Sequence, residues 1–261
     1  MATVDLHLAS GDHRADMLRR AGCLHVLAWR EALADGPITA RRDDLLALRR
    51  QFVTQAYSSS AEQYDVMVTS VLTDVREGSY QHIMLHFDND LFCVTNALFC
   101  ISQLSHVATV SWTTPQGVIE LTTLDRAFAS SCWRALADTT PLGLIDLLPQ
   151  LPQQLQFLRP ALVAHLQRFP ARDTGFGKPQ EIIRDLLDRG LEEEADIING
   201  FIALDANTYG WGDVQILREL RITRAMLRGE DVRLSIGGVT LHTKHPTWVW
   251  DVRRNTVCPI E

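Results

Sequence analysis

The fold is decided first by residues 4–13, which read VDLHLASGDH. Apolar and polar side chains alternate from Val4 to Leu8, and this period of two is typical of a β-strand. The next residues, Ser10-Gly11-Asp12-His13, form a predicted turn with good helix-capping side chains, and a short helix is expected around 15–21. The stretch therefore predicts a strand that turns directly into a helix.

The same order of strand and helix continues through the first half of the chain. Two amphipathic helices follow the second strand, and a long apolar helix over about 91–104 follows the third. Further strands are predicted at 24–29, 82–87, 107–112 and 118–121. Alternating strands and helices favour β-α-β units and a mostly parallel sheet. We predict a Rossmann-like, three-layer α/β domain over residues 1–123.

After residue 124 the sequence becomes mainly helical. Helices are predicted at about 124–137, 141–148, 155–168, 179–189, 194–204 and 213–221. Gly237-Gly238 separates two short apolar runs, 233–236 and 239–242, and this pattern predicts a β-hairpin. We predict a second domain over 124–261 that is helical and winged-helix-like, with a small C-terminal hairpin.

Composition limits the classes of protein to consider. The 261 residues are 46% hydrophobic and 22% charged, which is typical of a globular chain. The net charge of −7 argues against broad nucleic-acid binding. No apolar run reaches the ~18 residues of a membrane span. Five cysteines without a Cys-x-x-Cys motif, and an N-terminus without a signal sequence, predict a cytoplasmic protein.

The predicted topology brings polar residues to one edge of the sheet. Parallel strands end at a common edge, and ligands bind there, where the strand order reverses. Each of the first three predicted strands is followed by polar or glycine residues. The residues expected at this rim are Ser10, Gly11, Asp12, His13, Arg30, Glu31, Asp35, Asp88, Asn89 and Asp90.

Three of these residues, Asp12, Asp88 and Asp90, are candidate metal ligands and catalytic acids or bases. Crowded carboxylates need a divalent cation, a shared proton or arginine partners. Carboxylate oxygens suit Mg²⁺ or Mn²⁺, and such an ion would orient a phosphate and activate water. The alternative is structural: Asp12 and Asp90 would be helix N-caps, and Arg14 or Arg30 would neutralise the others.

Candidate groups for proton transfer and anion binding lie at the same rim. His13 and His86 are the predicted proton carriers. The predicted ligand-binding residues are Ser10, Gly11, Arg30, Glu31 and Asn89, with Arg30 steadying an anion. The sequence has neither a Gly-x-Gly-x-x-Gly nor a Walker motif, so an ordinary dinucleotide or P-loop site is not expected. The helices after the first and third strands could still bind an anion through their first N–H groups.

Cys93 is expected in the first turn of the helix after the third strand. The helix dipole would lower a thiol pKa there, whereas nearby aspartates would raise it. Cys93 is therefore either a nucleophile or a buried structural cysteine, and burial is the commoner state of cysteine.

Five ordered stretches together resemble the bacterial domain-of-unknown-function family 1835 (DUF1835). They are Gly11-Asp12, residues 29–37 (WREALADGP), residues 87–96 (FDNDLFCVTN), residues 158–170 (LRPALVAHLQRFP) and residues 237–251 (GGVTLHTKHPTWVWD). The resemblance covers about residues 1–125 and the helical region that commonly follows. It implies the α/β fold and carries no activity with it. The family often has a histidine where this chain has Asn89, so no histidine role is expected at that position.

Two functions fit these observations. The first is an enzyme, a metal-assisted hydrolase or transferase acting on a small anionic or phosphorylated ligand such as a nucleotide. The second is a non-catalytic sensor or regulator that contacts DNA or a protein through the C-terminal domain. Four arginines recur there at 218, 221, 224 and 228, but interleaved acidic residues favour a solvated face. A purely protein-binding module is a third reading, and the oligomeric state is left open.

Overall fold

A computed structural model describes residues 4–205 and 207–260 of the chain. Its main sheet has five strands in the order β2-β1-β3-β4-β5. The strands are β1 (Leu6–Ser10), β2 (Val26–Trp29), β3 (His82–His86), β4 (Thr109–Thr114) and β5 (Gly117–Glu120). Neighbours from β2 to β4 are parallel, and β5 pairs antiparallel with β4. The predicted mixed α/β fold with a mostly parallel sheet is confirmed.

Five helices connect these strands. They are α1 (Gly11–Arg20), α2 (Arg42–Ala56), α3 (Ala61–Tyr64), α4 (Ser70–Glu77) and α5 (Leu91–Gln103). A π-helical segment, Asp65–Thr69, joins α3 to α4. Helix α1 begins earlier than the sequence pattern indicates, because Gly11 has φ +78° and turns the chain from β1 straight into the helix. Glycine adopts this conformation without the steric cost of a side chain.

The second half is helical and ends in two hairpins. Its helices are α6 (Thr123–Leu136), α7 (Leu142–Leu147), α8 (Arg159–Leu166), α9 (Lys178–Asp188), α10 (Glu194–Asp205) and α11 (Asp213–Leu227). The helix predicted over 155–168 is divided into a 3₁₀ segment, Gln153–Leu158, and α8. Pro160, in the first turn of α8, lacks the N–H that a continuous helix would need there.

The predicted hairpin is present as β6 (Arg233–Ile236) and β7 (Val239–His242). A second antiparallel hairpin, β8 (Trp248–Asp251) with β9 (Thr256–Pro259), was not predicted. Its turn uses Asn255 at φ 50°, a conformation that asparagine tolerates better than most residues. The winged-helix arrangement is not confirmed, since the C-terminal strands form two separate two-stranded sheets.

The hydrophobic core extends across both halves of the chain. One cluster contains Leu8 and Leu85 of the sheet together with Leu162 and Phe201 of the helical half. A smaller cluster of alanines and Val26 lies between α1 and the sheet, and small side chains let this helix lie close. The predicted domain boundary at residue 123 stays a prediction. Within the described residues no helix is both long and apolar enough to cross a membrane.

Candidate functional site

The strand order creates a switch point between β1 and β3. The chain goes from β1 to β2 on one side and then returns to β3 on the other. In open α/β sheets, ligands bind in the crevice outside the carboxyl ends of such strands. The segments that follow the two strands approach closely, with the Ser10 Oγ 3.2 Å from the Cys93 Sγ. The predicted rim is therefore one continuous edge of the molecule.

Asp12 and Asp88 are each held by an arginine. Arg30 donates to both carboxylate oxygens of Asp12 at 2.6–3.0 Å. Arg14 donates to both oxygens of Asp88 at 2.7 and 2.9 Å. The hydrogen bonds from Arg30 lower the pKa of Asp12, so this carboxylate is charged at neutral pH. An arginine neutralises Asp88, as the structural alternative expects, whereas Asp12, expected there as a helix N-cap, lies inside the first turn of α1 and pairs with Arg30.

Asp90 is the N-cap of α5. Its side chain accepts a hydrogen bond from the Cys93 N–H at 2.7 Å. Gly210 lies so close that a Cβ at this position would overlap the Asp90 carboxylate. Burial raises the pKa of Asp90 above its usual value. This residue therefore has a clear structural role, whatever else it binds.

The N-terminus of α5 is closed by the helical half. The N–H of Leu91 donates to the Thr208 carbonyl at 2.9 Å, and the N–H of Phe92 donates to the Tyr209 carbonyl at 3.0 Å. These are among the groups that an anion would need at a helix start. These two N–H groups are not free for an anion, because a segment far along the sequence already accepts from them; the anion site predicted after the third strand stays a prediction.

The N-terminus of α1 has a different environment. The side chain of Ser10 precedes the helix but makes no capping hydrogen bond. Across residues 4–205 and 207–260, no side chain accepts a hydrogen bond from the N–H groups of Asp12 or His13, which lie beyond the β1–β2 ladder. The first turn of a helix carries partial positive charge on such N–H groups. The switch point thus has one uncapped helix start.

The ligand atoms of Asp88, Asp90 and Cys93 all lie within 4.8 Å of one another. Asp12 is not part of this group, since its carboxylate lies against Arg30. The predicted metal set of Asp12, Asp88 and Asp90 is therefore not brought together around one point. Burial, and then the charge of Asp90, raise the pKa of the Cys93 thiol to about 12. The thiol is protonated at neutral pH, which disfavours its reading as a nucleophile.

Glu31 lies beneath the rim in a buried ion pair. Arg49 donates to its two oxygens at 3.1 and 2.9 Å. The Tyr64 hydroxyl and the Ala32 N–H donate to the same carboxylate at 2.9 and 2.6 Å. With both oxygens occupied, Glu31 anchors the loop after β2, and the predicted ligand-binding role would require breaking this pair.

The predicted proton carriers differ in their surroundings. His86 is buried, and its Nε2 lies 2.8 Å from the Nδ1 of His7. Burial, followed by the neighbouring His7 and Arg14, lowers the pKa of His86 to about 4. A base this weak is poorly matched to proton abstraction at neutral pH. His13 and Asn89 are exposed at the rim, and no side-chain hydrogen bond to a described residue orients either of them.

Two residues beside the rim, Asn96 and Arg49, were not among the predicted site residues. Asn96 of α5 accepts a hydrogen bond from the Trp29 indole at 3.0 Å and donates to the Glu31 carbonyl at 2.8 Å. Arg49 neutralises Glu31 from α2. These contacts fix the end of β2 relative to α5, and so hold the two sides of the rim together.

Comparisons with protein-family models, curated proteins and solved structures found no match to this chain. The resemblance to the family numbered 1835 stays a prediction. The fold and the rim define a mixed α/β protein with a polar switch point, and its function is inferred from that geometry.

Proposed function

We propose that the chain binds a small anionic or phosphorylated ligand, such as a nucleotide, at the carboxyl ends of β1 and β3. The uncapped first turn of α1 would hold the anion through its backbone N–H groups. The single observation that carries this proposal is the location of an uncapped helix start at the switch point of the sheet.

Two arginines support the proposal electrostatically. Arg14 and Arg30 flank the first turn of α1. Arg30 makes a two-pronged contact with Asp12 through Nε and Nη2, whereas Arg14 reaches both oxygens of Asp88 through Nη2 alone. Asp12 and Asp88 are 63% and 60% exposed, and such surface pairs are worth about 0–1 kcal/mol. A phosphate accepts the same two-pronged contact from a guanidinium. An incoming anion can therefore replace the carboxylate as the partner of an arginine at little cost in free energy.

A metal-assisted hydrolase or transferase is the enzyme version of this proposal. Asp88 and Asp90 would hold Mg²⁺ or Mn²⁺, with Cys93 within reach. The fit is partial, because the ion would replace Arg14 as the counter-charge of Asp88 and disturb the cap that Asp90 provides. The ion would polarise a bound phosphate, while Arg30 would orient it.

No observation among the described residues favours the alternative function, a regulator that contacts DNA through the C-terminal arginines. Arg218 pairs with Asp35 in the other half of the chain. Arg224 donates to the Glu192 carbonyl, and Arg228 pairs with Glu230. Because these guanidinium groups contact the protein's own acceptors, nucleic-acid binding is not part of the proposal.

Isothermal titration with inorganic phosphate and pyrophosphate tests the anion site. We expect binding to the unaltered protein and at least tenfold weaker binding to Arg14→Gln and to Arg30→Gln. Arg20→Gln is the matched control, since Arg20 is an exposed arginine at the other end of α1. Absence of binding to the unaltered protein, or an equal loss in the Arg20 variant, would contradict the proposal.

A further inference from the structure

A pocket opens beside Arg30, where the loop after β2 meets residues 57–69. Its cavity volume is about 60 Å³, several times the roughly 10–15 Å³ that one water molecule needs. Arg30 connects the pocket to the anion site, because its guanidinium contacts Asp12 of α1 and also lines the pocket wall. The residues that matter for its chemistry are Arg30, Tyr57, Ser59, Gln63, Met67 and Val68.

The backbone around this pocket departs twice from regular structure. Met67 and Val68 belong to the π-helical segment Asp65–Thr69, and single π turns inside helices are frequent at functional sites. Ser58 has φ 52°, a left-handed conformation that is uncommon for a serine. Strained residues of this kind cluster at ligand sites. Both departures lie in the segment that forms the outer wall.

The walls are apolar and one end is polar. Met67 is 44% exposed, although a large apolar side chain gains by burial. At the polar end, the Ser60 N–H donates to the Gln63 Oε1 at 2.9 Å, which fixes the orientation of that amide. The Gln63 Nε2 then has no acceptor among the described residues, while the Ser59 hydroxyl donates to the Gln63 Oε1 at 3.2 Å. The pocket thus offers apolar faces and hydrogen-bonding groups along one edge.

We propose that this pocket holds the base of a nucleotide whose phosphate is bound at the first turn of α1. The inference rests on the proposed function and extends it to a ligand class. A nucleobase has apolar faces and hydrogen-bonding edges, which match the walls and the polar end of the pocket. In a β-α-β unit, a ligand that starts at the first helix passes next over the end of the second strand. Arg30 lies on that path.

Isothermal titration with the four ribonucleoside 5′-monophosphates, the four nucleosides, butyl phosphate and inorganic phosphate tests the inference. We expect at least one monophosphate to bind tenfold or more tightly than inorganic phosphate. Met67→Asp should remove that advantage and leave phosphate binding unchanged. Val66→Asp is the matched control, because Val66 is 70% exposed, adjacent in sequence and outside the pocket lining. Ser59→Trp, which fills the pocket from the loop side, is a second variant.

The outcomes separate this inference from the proposed function. Monophosphates that bind no better than phosphate, or no better than butyl phosphate, overturn the base pocket and leave the anion site intact. If phosphate does not bind, nucleoside binding that Met67→Asp abolishes still supports the pocket. The pocket proposal is overturned if neither nucleosides nor nucleotides bind. It is also overturned if the Met67 and Val66 variants lose binding equally.

Discussion

Arg218 donates a hydrogen bond to the carboxylate of Asp35, a residue 183 positions earlier in the chain. The same carboxylate accepts a hydrogen bond from the Tyr57 hydroxyl at 2.6 Å, and Gln215 donates to that hydroxyl at 3.1 Å. Helix α11 therefore supports both the loop after β2 and a wall of the pocket beside Arg30. The helical half thus stabilises the loop and the pocket wall that carry the site.

Arg218→Ala should destabilise the fold. The substitution removes the cationic partner of the buried Asp35 carboxylate, and loss of one member of a buried pair is costly. Because Arg218 is partly exposed and Tyr57 still donates, we expect a loss on the order of 2 kcal/mol in the free energy of unfolding. Urea denaturation measures this loss. Arg221→Ala, an exposed position on the same helix, should change it by less than about 0.5 kcal/mol. Similar losses in both variants would contradict this account.

Gly210→Ala should be more harmful than Gly229→Ala. Both glycines have positive φ, so both alanines carry the same backbone strain. Only the Cβ at position 210 meets another group, the Asp90 carboxylate that caps α5. The overlap should add about 1–3 kcal/mol of destabilisation. Equal unfolding midpoints for the two variants, measured in urea, would show that the closure of α5 by residues 208–210 is not tight.

Stability should fall as the pH drops from about 6.5 toward 4. Burial lowers the pKa of His86 to about 4, so the folded state binds this proton less readily than the unfolded state does. The stability that the neutral His86 contributes is fully present above its unfolded-state pKa of 6.5, and it is lost as the pH falls toward 4. His86→Gln should therefore lose less stability than the unaltered protein between pH 7 and pH 4.5. Thermal unfolding at several pH values checks this, and identical declines would contradict it.

Mn²⁺ or Mg²⁺ should raise the melting temperature if the enzyme version is correct. A ligand that binds only the folded state stabilises it by mass action. Asp88→Asn/Asp90→Asn should abolish the shift while keeping the helix cap, because asparagine caps helices as well as aspartate does. Asp43→Asn, an exposed carboxylate at the start of α2, is the control. Equal shifts in all three proteins, or none, would remove the metal from the proposal.

The convergence of the rim residues could be predicted because it follows from topology. Parallel strands end at one edge, so the residues after β1 and β3 had to meet once the strands were recognised. Neutralisation of Asp88 by an arginine was one of two open alternatives, whereas Asp12 was expected as a helix N-cap and pairs with Arg30 instead. Charge pattern alone does not distinguish a carboxylate bound to arginine from one bound to metal.

Other features depend on contacts between distant segments. Nothing near Leu91 in the sequence indicates that the carbonyls of Thr208 and Tyr209 close the start of α5. Arg49 did leave a signal, since it shares the apolar face of α2 with Leu45 and Phe52, four residues before and three after. An arginine on an apolar face implies a buried partner, and that partner is Glu31.

The central claim is that the first turn of α1 binds the anion, and amide chemical shifts test it most directly. In a titration of the ¹⁵N-labelled protein with pyrophosphate, we expect the backbone amides of Asp12 and His13 to move furthest. Their chemical-shift changes should saturate with the same Kd that calorimetry gives. The amides of Leu91 and Phe92, which already donate to carbonyls, should move little. Saturable binding that leaves the amides of Asp12 and His13 unchanged, or no binding at all, would contradict the account.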